Sequence, residues 1–316
     1  MDKPFKSIED QVALLESRGV ETDGGTGEIL LREGYYAVVN GYKQPFLDQS
    51  KTIQAGDDRY KKGTKFSDIH SLFLFDRALR EETFHCLIRV EAMVRTVCAY
   101  TFSEKHPNKG DYLRQDCFAT QAEYEDFGLK HYISNIQELH ATLMRKSTKS
   151  KRDFIRHYRE KHEWIPLWVL CKELTFGNVE HFFNLMKPEE QRLVCKRIAN
   201  IAGKTKEDGY FSPREARLGL EILVKARNIC AHDERLYCAN LGGRRNVNFI
   251  EMLAYLKRYL TTAELDDYLK RIAATTRICT DESVMASHVL RRMGFEAAED
   301  DDGPTSASAW QGDQSN

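Results

Sequence analysis

The chain has 316 residues, a formal net charge of −1 and a hydrophobic fraction of 41%, enough for one large domain or two modest ones, each able to bury a core. A balance this close to neutral does not announce a nucleic-acid binder, so a polyanion site has to come from local segregation of charge. No apolar run approaches the ~20 residues that span a bilayer, and Met1-Asp2-Lys3-Pro4-Phe5 leads into a polar stretch unlike a signal peptide. A cytoplasmic protein without membrane partners is the expectation. The cysteines, Cys86, Cys98, Cys117, Cys171, Cys195, Cys230, Cys238 and Cys279, form no CxxC pair. They read as reduced thiols, several of them core fillers. No ligand spacing argues for zinc, and no metal or cofactor is expected.

In chain order, Pro4 to Gly19 carries Ile8, Val12 and Leu15 along one side and predicts an amphipathic helix. Asp23-Gly24-Gly25-Thr26-Gly27 is a turn, and a short helix follows. Next comes the segment from Tyr35 to Tyr42, whose tyrosines Tyr35, Tyr36 and Tyr42 read as packing residues. Gln49 to Thr64 is polar and read as a loop. From Ser67 to Phe102, the residues Leu72, Phe75, Leu79, Cys86, Val90, Met93 and Val97 recur at helical steps. They predict a scaffold helix ~50 Å long at ~1.5 Å per residue, with Arg77, Arg80, Glu81, Arg89 and Arg95 off the apolar stripe. His106 to Asp116 is a loop, and Asp126 to Arg145 another helix. A basic stretch follows: Arg145, Lys146, Lys149, Lys151, Arg152, Arg156, Arg159 and Lys161. Trp164 to Trp168 opens a helix that Phe176-Gly177-Asn178 breaks, and a further helix ends at Met186. Pro213 suits the first turn of a helix from Arg214 to Ala231. The class is all-α, with at most a minor hairpin near the N-terminus. The expected organisation is one domain over residues 1–295, with an N-terminal subregion over 1–65, and an acidic disordered tail over 296–316.

The chemistry concentrates near the end of that last helix. Leu220, Leu223, Val224 and Arg227 share a stripe, and a guanidinium there either meets a carboxylate or lines a cleft. Arg227, Asn228 and His232 span ~140° of the helix at ~100° per residue. The set suits metal-free RNA cleavage, with histidine moving protons near neutral pH, arginine gripping phosphate and asparagine orienting either partner. The same residues read equally as a buried ion pair and a helix C-cap. Arginine with histidine five residues later recurs at Arg80 and His85, where a solvated helix face is the reading. Lys149, Lys151, Arg152 and Arg156 either bind RNA phosphates or form a solvated face. Trp164 and Trp168 read as core anchors before base-stacking platforms.

Several phrases in order resemble the Abi-like abortive-infection family of AbiD/AbiF type: Asn40-Gly41-Tyr42, Gly63-Thr64-Lys65-Phe66, Phe75-Asp76-Arg77 with Leu79-Arg80, Arg89 with Glu91, Pro166-Leu167-Trp168, Glu173-Leu174-Thr175-Phe176-Gly177, and Ala226-Arg227-Asn228-Ile229-Cys230-Ala231-His232 with Arg235-Leu236. The resemblance implies an HEPN-like helical bundle with a long scaffold helix and extra N-terminal helices. It further implies a metal-independent endoribonuclease whose catalytic residues are Arg227, Asn228 and His232, acting as a toxin in antiviral defence. One convincing motif per chain implies a homodimer, and RNA is implied as substrate and as a structured non-coding partner, without DNA specificity. Such domains carry an acid on a preceding helix, so Glu91 and Asp76 are the candidates to pair with Arg227. Asp233 stands where the family phrase has His or Gly, and sets a carboxylate beside the histidine. The competing reading is a non-catalytic RNA-binding or regulatory component of a defence or RNA toxin–antitoxin system.

Overall fold

Local capping signals start several of the helices, and one long, centrally buried helix organises the rest. The computed structural model describes residues 4–162, 164–204, 210–276 and 283–295. Helix α1 (Ile8–Ser17) begins at Ser7, whose hydroxyl accepts the Asp10 amide while the Asp10 carboxylate accepts the Ser7 amide, satisfying two donors that helix geometry leaves free. Helix α2 (Thr26–Glu33) and a π-helical turn over Tyr36–Asn40 follow. The stretch read as a loop contains α3 (Gln49–Ala55). Asp48 accepts the Lys51 amide at its start, and Gly56 ends it at φ 65°, a left-handed position that suits glycine. No strand forms among the described residues: the N-terminal region holds only the isolated bridges Glu21–Lys65 and Leu47–Tyr60, so the hairpin allowed by the sequence is absent there. Of the tyrosines, Tyr42 is buried but Tyr36 is exposed.

Helix α4 (Phe66–Lys105) has 40 residues, ~60 Å at ~1.5 Å per residue. Its buried residues exceed the expected stripe. Phe73, Leu87 and Val94 are buried as well as Leu72, Phe75, Leu79, Val90 and Val97, because α4 runs through the middle of the bundle and is covered from several sides. Helices α8 (Leu167–Leu170), α9 (Phe176–Leu185), α10 (Pro188–Ile201), α11 (Pro213–Ala231) and α13 (Thr262–Thr276) all pack on it. The helix expected from Asp126 to Arg145 is α6 (Tyr132–Lys149), which starts later because the chain first ends a short α5 (Gln121–Asp126) and turns where Gly128 and His131 take positive φ. Phe176-Gly177-Asn178 does not break a helix but begins α9, since the Thr175 hydroxyl accepts the Asn178 amide. The remaining helices are α7 (Asp153–Lys161), α12 (Phe249–Leu256) and α14 (Ser283–Met293). A continuous apolar cluster joins Leu15 of α1 to Met293 of α14. Seven cysteines are free thiols, five of them buried. Cys279 and the tail expected over 296–316 lie outside the described residues. No helix among those described is long and apolar enough to cross a membrane.

Candidate active site

Helix α11 starts on a capping box between Ser212 and Glu215, with Pro213 in its first turn. Burial of Ala216, Leu220, Leu223 and Ala226 turns this helix so that Arg227 meets the flank of α4. There the Arg227 Nε donates to Glu91 Oε2 at 3.0 Å, and its Nη1 donates to Asn228 Oδ1 at 3.0 Å. The other oxygen of Glu91 accepts from Arg95, one turn further along α4. One carboxylate therefore holds two guanidiniums, and the cluster keeps a formal positive charge at a part-exposed surface, where Arg227 and Arg95 are 18% and 19% exposed. A phosphate approaching it meets a preoriented fork of donors. Of the two acids offered by the sequence, Glu91 is the partner of Arg227 and Asp76 is not. Arg95 was missed; its only signal is the i,i+4 spacing to Glu91.

Helix α11 ends at Ala231, with His232 as its C-cap, so the motif does not stay helical to its last residue. The His232 amide donates to the Asn228 carbonyl at 2.9 Å, and the Glu234 amide reaches back to the Ile229 carbonyl at 3.1 Å. Between them Asp233 sits at φ 57°. The Glu234–Ile229 bond is the six-to-one bond of a Schellman cap, in which the left-handed position favours glycine. The cap exposes the imidazole of His232 beside exposed Asn228. Asp233 turns its carboxylate to Arg80.

Arg80 overturns the reading of a solvated face. It is 4% exposed, and Asp76 is fully buried. Asp76 accepts from Arg80 Nη1 at 2.6 Å, the Tyr42 hydroxyl at 2.7 Å, the Tyr237 amide at 2.8 Å and the Leu236 amide at 3.1 Å. Burial pushes this carboxyl up, while Arg80 and the other donors pull it down. Every neighbour presents a hydrogen, so the array holds the ionised form. Arg80 also donates to the Tyr42 hydroxyl at 3.0 Å, and Arg235 donates to the Gly41 carbonyl at 2.8 Å. Asn40-Gly41-Tyr42, Phe75-Asp76-Arg77 with Leu79-Arg80, and Arg235-Leu236, far apart in sequence, thus converge on one buried network that fixes the turn immediately after His232. His85 is exposed on α4 and stands outside it.

The basic stretch forms the corner between α6 and α7. Arg159 ties that corner by donating to the Thr148 and Ser150 carbonyls at 2.5 and 3.1 Å. Arg152 pairs with Glu173 at 2.9 Å and Arg156 with Asp153 at 2.6 Å. Lys149 and Lys151 are exposed, with no ion pair among the described residues. An open groove of about 540 Å³ is lined by Arg145, Lys146, Lys149, Lys151, Arg152 and Glu173. Its floor residue Glu173 closes the turn Cys171–Glu173, and Cys171 lines a small gap together with Arg95. The turn Cys171–Glu173 thus contributes Glu173 to the groove and Cys171 to the gap beside Arg95. Trp168 is 54% exposed, not a core anchor, and Trp164 is half-buried against it, edge to face at 6.3 Å.

Residues 28–238, about two thirds of the chain, match the Abi-like protein family. The chain belongs to that family. No curated protein and no solved structure gives a significant match. As an Abi-like protein it has an abortive-infection role, that of a phage-defence protein. The matched span takes in the Tyr42–Asp76–Arg80 network, Glu91, Arg95, the basic corner and the Arg227–His232 motif.

Proposed function

We propose that this Abi-like protein is a metal-independent endoribonuclease of HEPN type that acts as a homodimeric toxin on RNA in the cytoplasm. The observation that carries the reading is the clamp of Glu91 on Arg227 at 3.0 Å, one helical turn before an exposed histidine. Cleavage requires a 2′-hydroxyl to lose a proton, the leaving 5′-oxygen to gain one, and the charged phosphorane between them to be stabilised. Arg227 stabilises the phosphorane, and Glu91 positions Arg227. Asn228 orients its neighbours or the ribose. His232 transfers a proton, with a second copy of the motif across the dimer cleft supplying the opposite transfer. The Glu91 carboxylate already serves two guanidiniums and Asp233 is paired with Arg80, a donor set poorly suited to a catalytic Mg²⁺. The groove lined by Lys149, Lys151 and Arg152 leads RNA to the site, and Arg156, paired with Asp153 outside that lining, is the further basic residue offered to RNA. A structured non-coding RNA held in that groove is the form an inhibitor takes.

The test is purified protein incubated with total bacterial RNA while free divalent cations are chelated, beside His232→Ala. Cleavage by the natural protein alone, leaving 2′,3′-cyclic phosphate ends, is expected. Equal cleavage by His232→Ala overturns the assignment of the motif. A second reading, non-catalytic RNA binding, is favoured by the basic groove. In that case neutralising Lys149, Lys151, Arg152 and Arg156 removes defence while His232→Ala leaves it intact.

A further inference from the structure

A separate cluster lies where α4 ends, about 22 Å along the helix from Glu91 at ~1.5 Å per residue. His106 caps α4, and the chain then folds through Gly110, at φ 78°, into two tight turns, Asp111–Leu113 and Gln115–Cys117. This path brings one donor atom each of His106, Asp111 and Cys117 within 4.8 Å of one another. Asp111 and Cys117 are 3% and 6% exposed, and the His106 side chain 12%. His106 Nε2 lies 2.6 Å from Oε1 of Glu190 on α10, a residue 1% exposed whose second carboxylate oxygen has no hydrogen-bond partner. A cavity of about 20 Å³ opens among Phe102, His106, Asp111, Tyr112 and Trp168, room for one water or a small ion.

We infer that His106, Asp111 and Cys117 form a structural zinc site, with Glu190 orienting the imidazole from behind. Two buried carboxylates flank one imidazole here. Arg114 lies 3.8 Å from Asp111 but is committed to Asp116 at 2.6 Å, and the Asn108 amide donates to the other oxygen of Asp111 at 2.8 Å. A divalent cation offsets that excess and gives the buried thiol and carboxylate a common partner. The mixed nitrogen, oxygen and sulfur donors select zinc over the all-oxygen ions calcium and magnesium. Glu190 on Nε2 sets the ring's proton there and leaves Nδ1 to coordinate, the arrangement in which an outer carboxylate fixes a ligating histidine. A water takes the fourth position; of the three ligands, His106 and Asp111 line the small cavity and Cys117 stands outside its lining. Zinc–ligand bonds of ~2.0–2.3 Å require the donors to draw together by about an ångström, which tightens the 106–117 loop against α10. The spacing, His-x4-Asp-x5-Cys, matches none of the common zinc patterns, so only the folded loop reveals the set.

The experiment measures metal in the full chain, purified without chelator, dialysed, and then exchanged with Co²⁺. Stoichiometric zinc and a thiolate-to-cobalt charge-transfer band are expected. Both should be lost in Cys117→Ala and His106→Ala and kept in Cys238→Ala, while Glu190→Gln weakens affinity about tenfold to a hundredfold. A natural protein that binds no zinc even when supplied with it, or a cobalt band that survives Cys117→Ala, overturns the site. Cys117→Ala removes a single thiol, so the test does not depend on the survival of His106→Ala. The readout is independent of RNA cleavage.

Discussion

Replacing Asp76 by alanine tests how much the turn behind His232 depends on one buried carboxylate. The change leaves Arg80, 4% exposed, without its 2.6 Å partner, and strips acceptors from the Tyr42 hydroxyl and from the Leu236 and Tyr237 amides. Breaking a buried ion pair costs about 3–5 kcal/mol, and each orphaned buried donor about 1–3 kcal/mol, not additively. A loss of about 4 kcal/mol or more is expected, a large part of the roughly 5–15 kcal/mol that domains possess. Asp76→Asn keeps the shape and one acceptor oxygen but turns an amide toward donors, and is expected to lose about 2–3 kcal/mol. Urea unfolding of Asp76→Asn, Arg80→Met and the double variant reads this directly. The double variant should fall short of the sum of the singles by about 2 kcal/mol, because removing both charges leaves neither buried alone. A loss below about 1 kcal/mol for Asp76→Asn, or strict additivity with Arg80→Met, refutes the account of this network.

The adjacent Asp233 behaves differently, because its carboxylate is 64% exposed and its pairing with Arg80 is worth little. Its backbone, at φ 57°, carries the larger effect: Asp233→Ala should be less stable than Asp233→Gly by about 1 kcal/mol, and equal unfolding midpoints would count against the cap. Arg77 holds the Glu33 carboxyl down to about 2, below its unfolded value of about 4.3. The folded state therefore binds fewer protons, and this stabilisation is present above the unfolded pKa and lost as pH falls through the folded one. Unfolding midpoints measured from about pH 5 down to 2 should decline less steeply in Glu33→Gln, and parallel profiles would remove Glu33 from acid sensitivity. Glu91→Gln should lower kcat for RNA cleavage about tenfold to a hundredfold with a smaller change in KM, since misplacing Arg227 costs transition-state geometry more than ground-state binding. An unchanged kcat would make the Glu91–Arg227 pair purely structural.

Periodicity and capping chemistry were enough, without coordinates, to establish an all-helical chain, a long central helix, and a motif at the end of α11, because these signals reside in neighbouring residues. The family resemblance also implied an acid on a preceding helix opposite Arg227. The choice between Glu91 and Asp76 was not legible, since the rotation of α4 against α11 depends on how both helices pack. Misreadings came where one local signal has two outcomes. Gly177 marks a break or an interior position, and only the Thr175 cap on Asn178 decides for the start of α9. Arg80, off the apolar stripe, reads with His85 as a solvated helix face, and becomes the centre of a buried array only when Tyr42 and the 233–237 turn close over it. The convergence of His106, Asp111 and Cys117 was likewise out of reach, because two tight turns and a helix end, not a spacing, bring them together. Side-chain burial and long-range charge pairing depend on which surfaces the bundle apposes, a property of the tertiary structure that no stretch of neighbouring residues encodes.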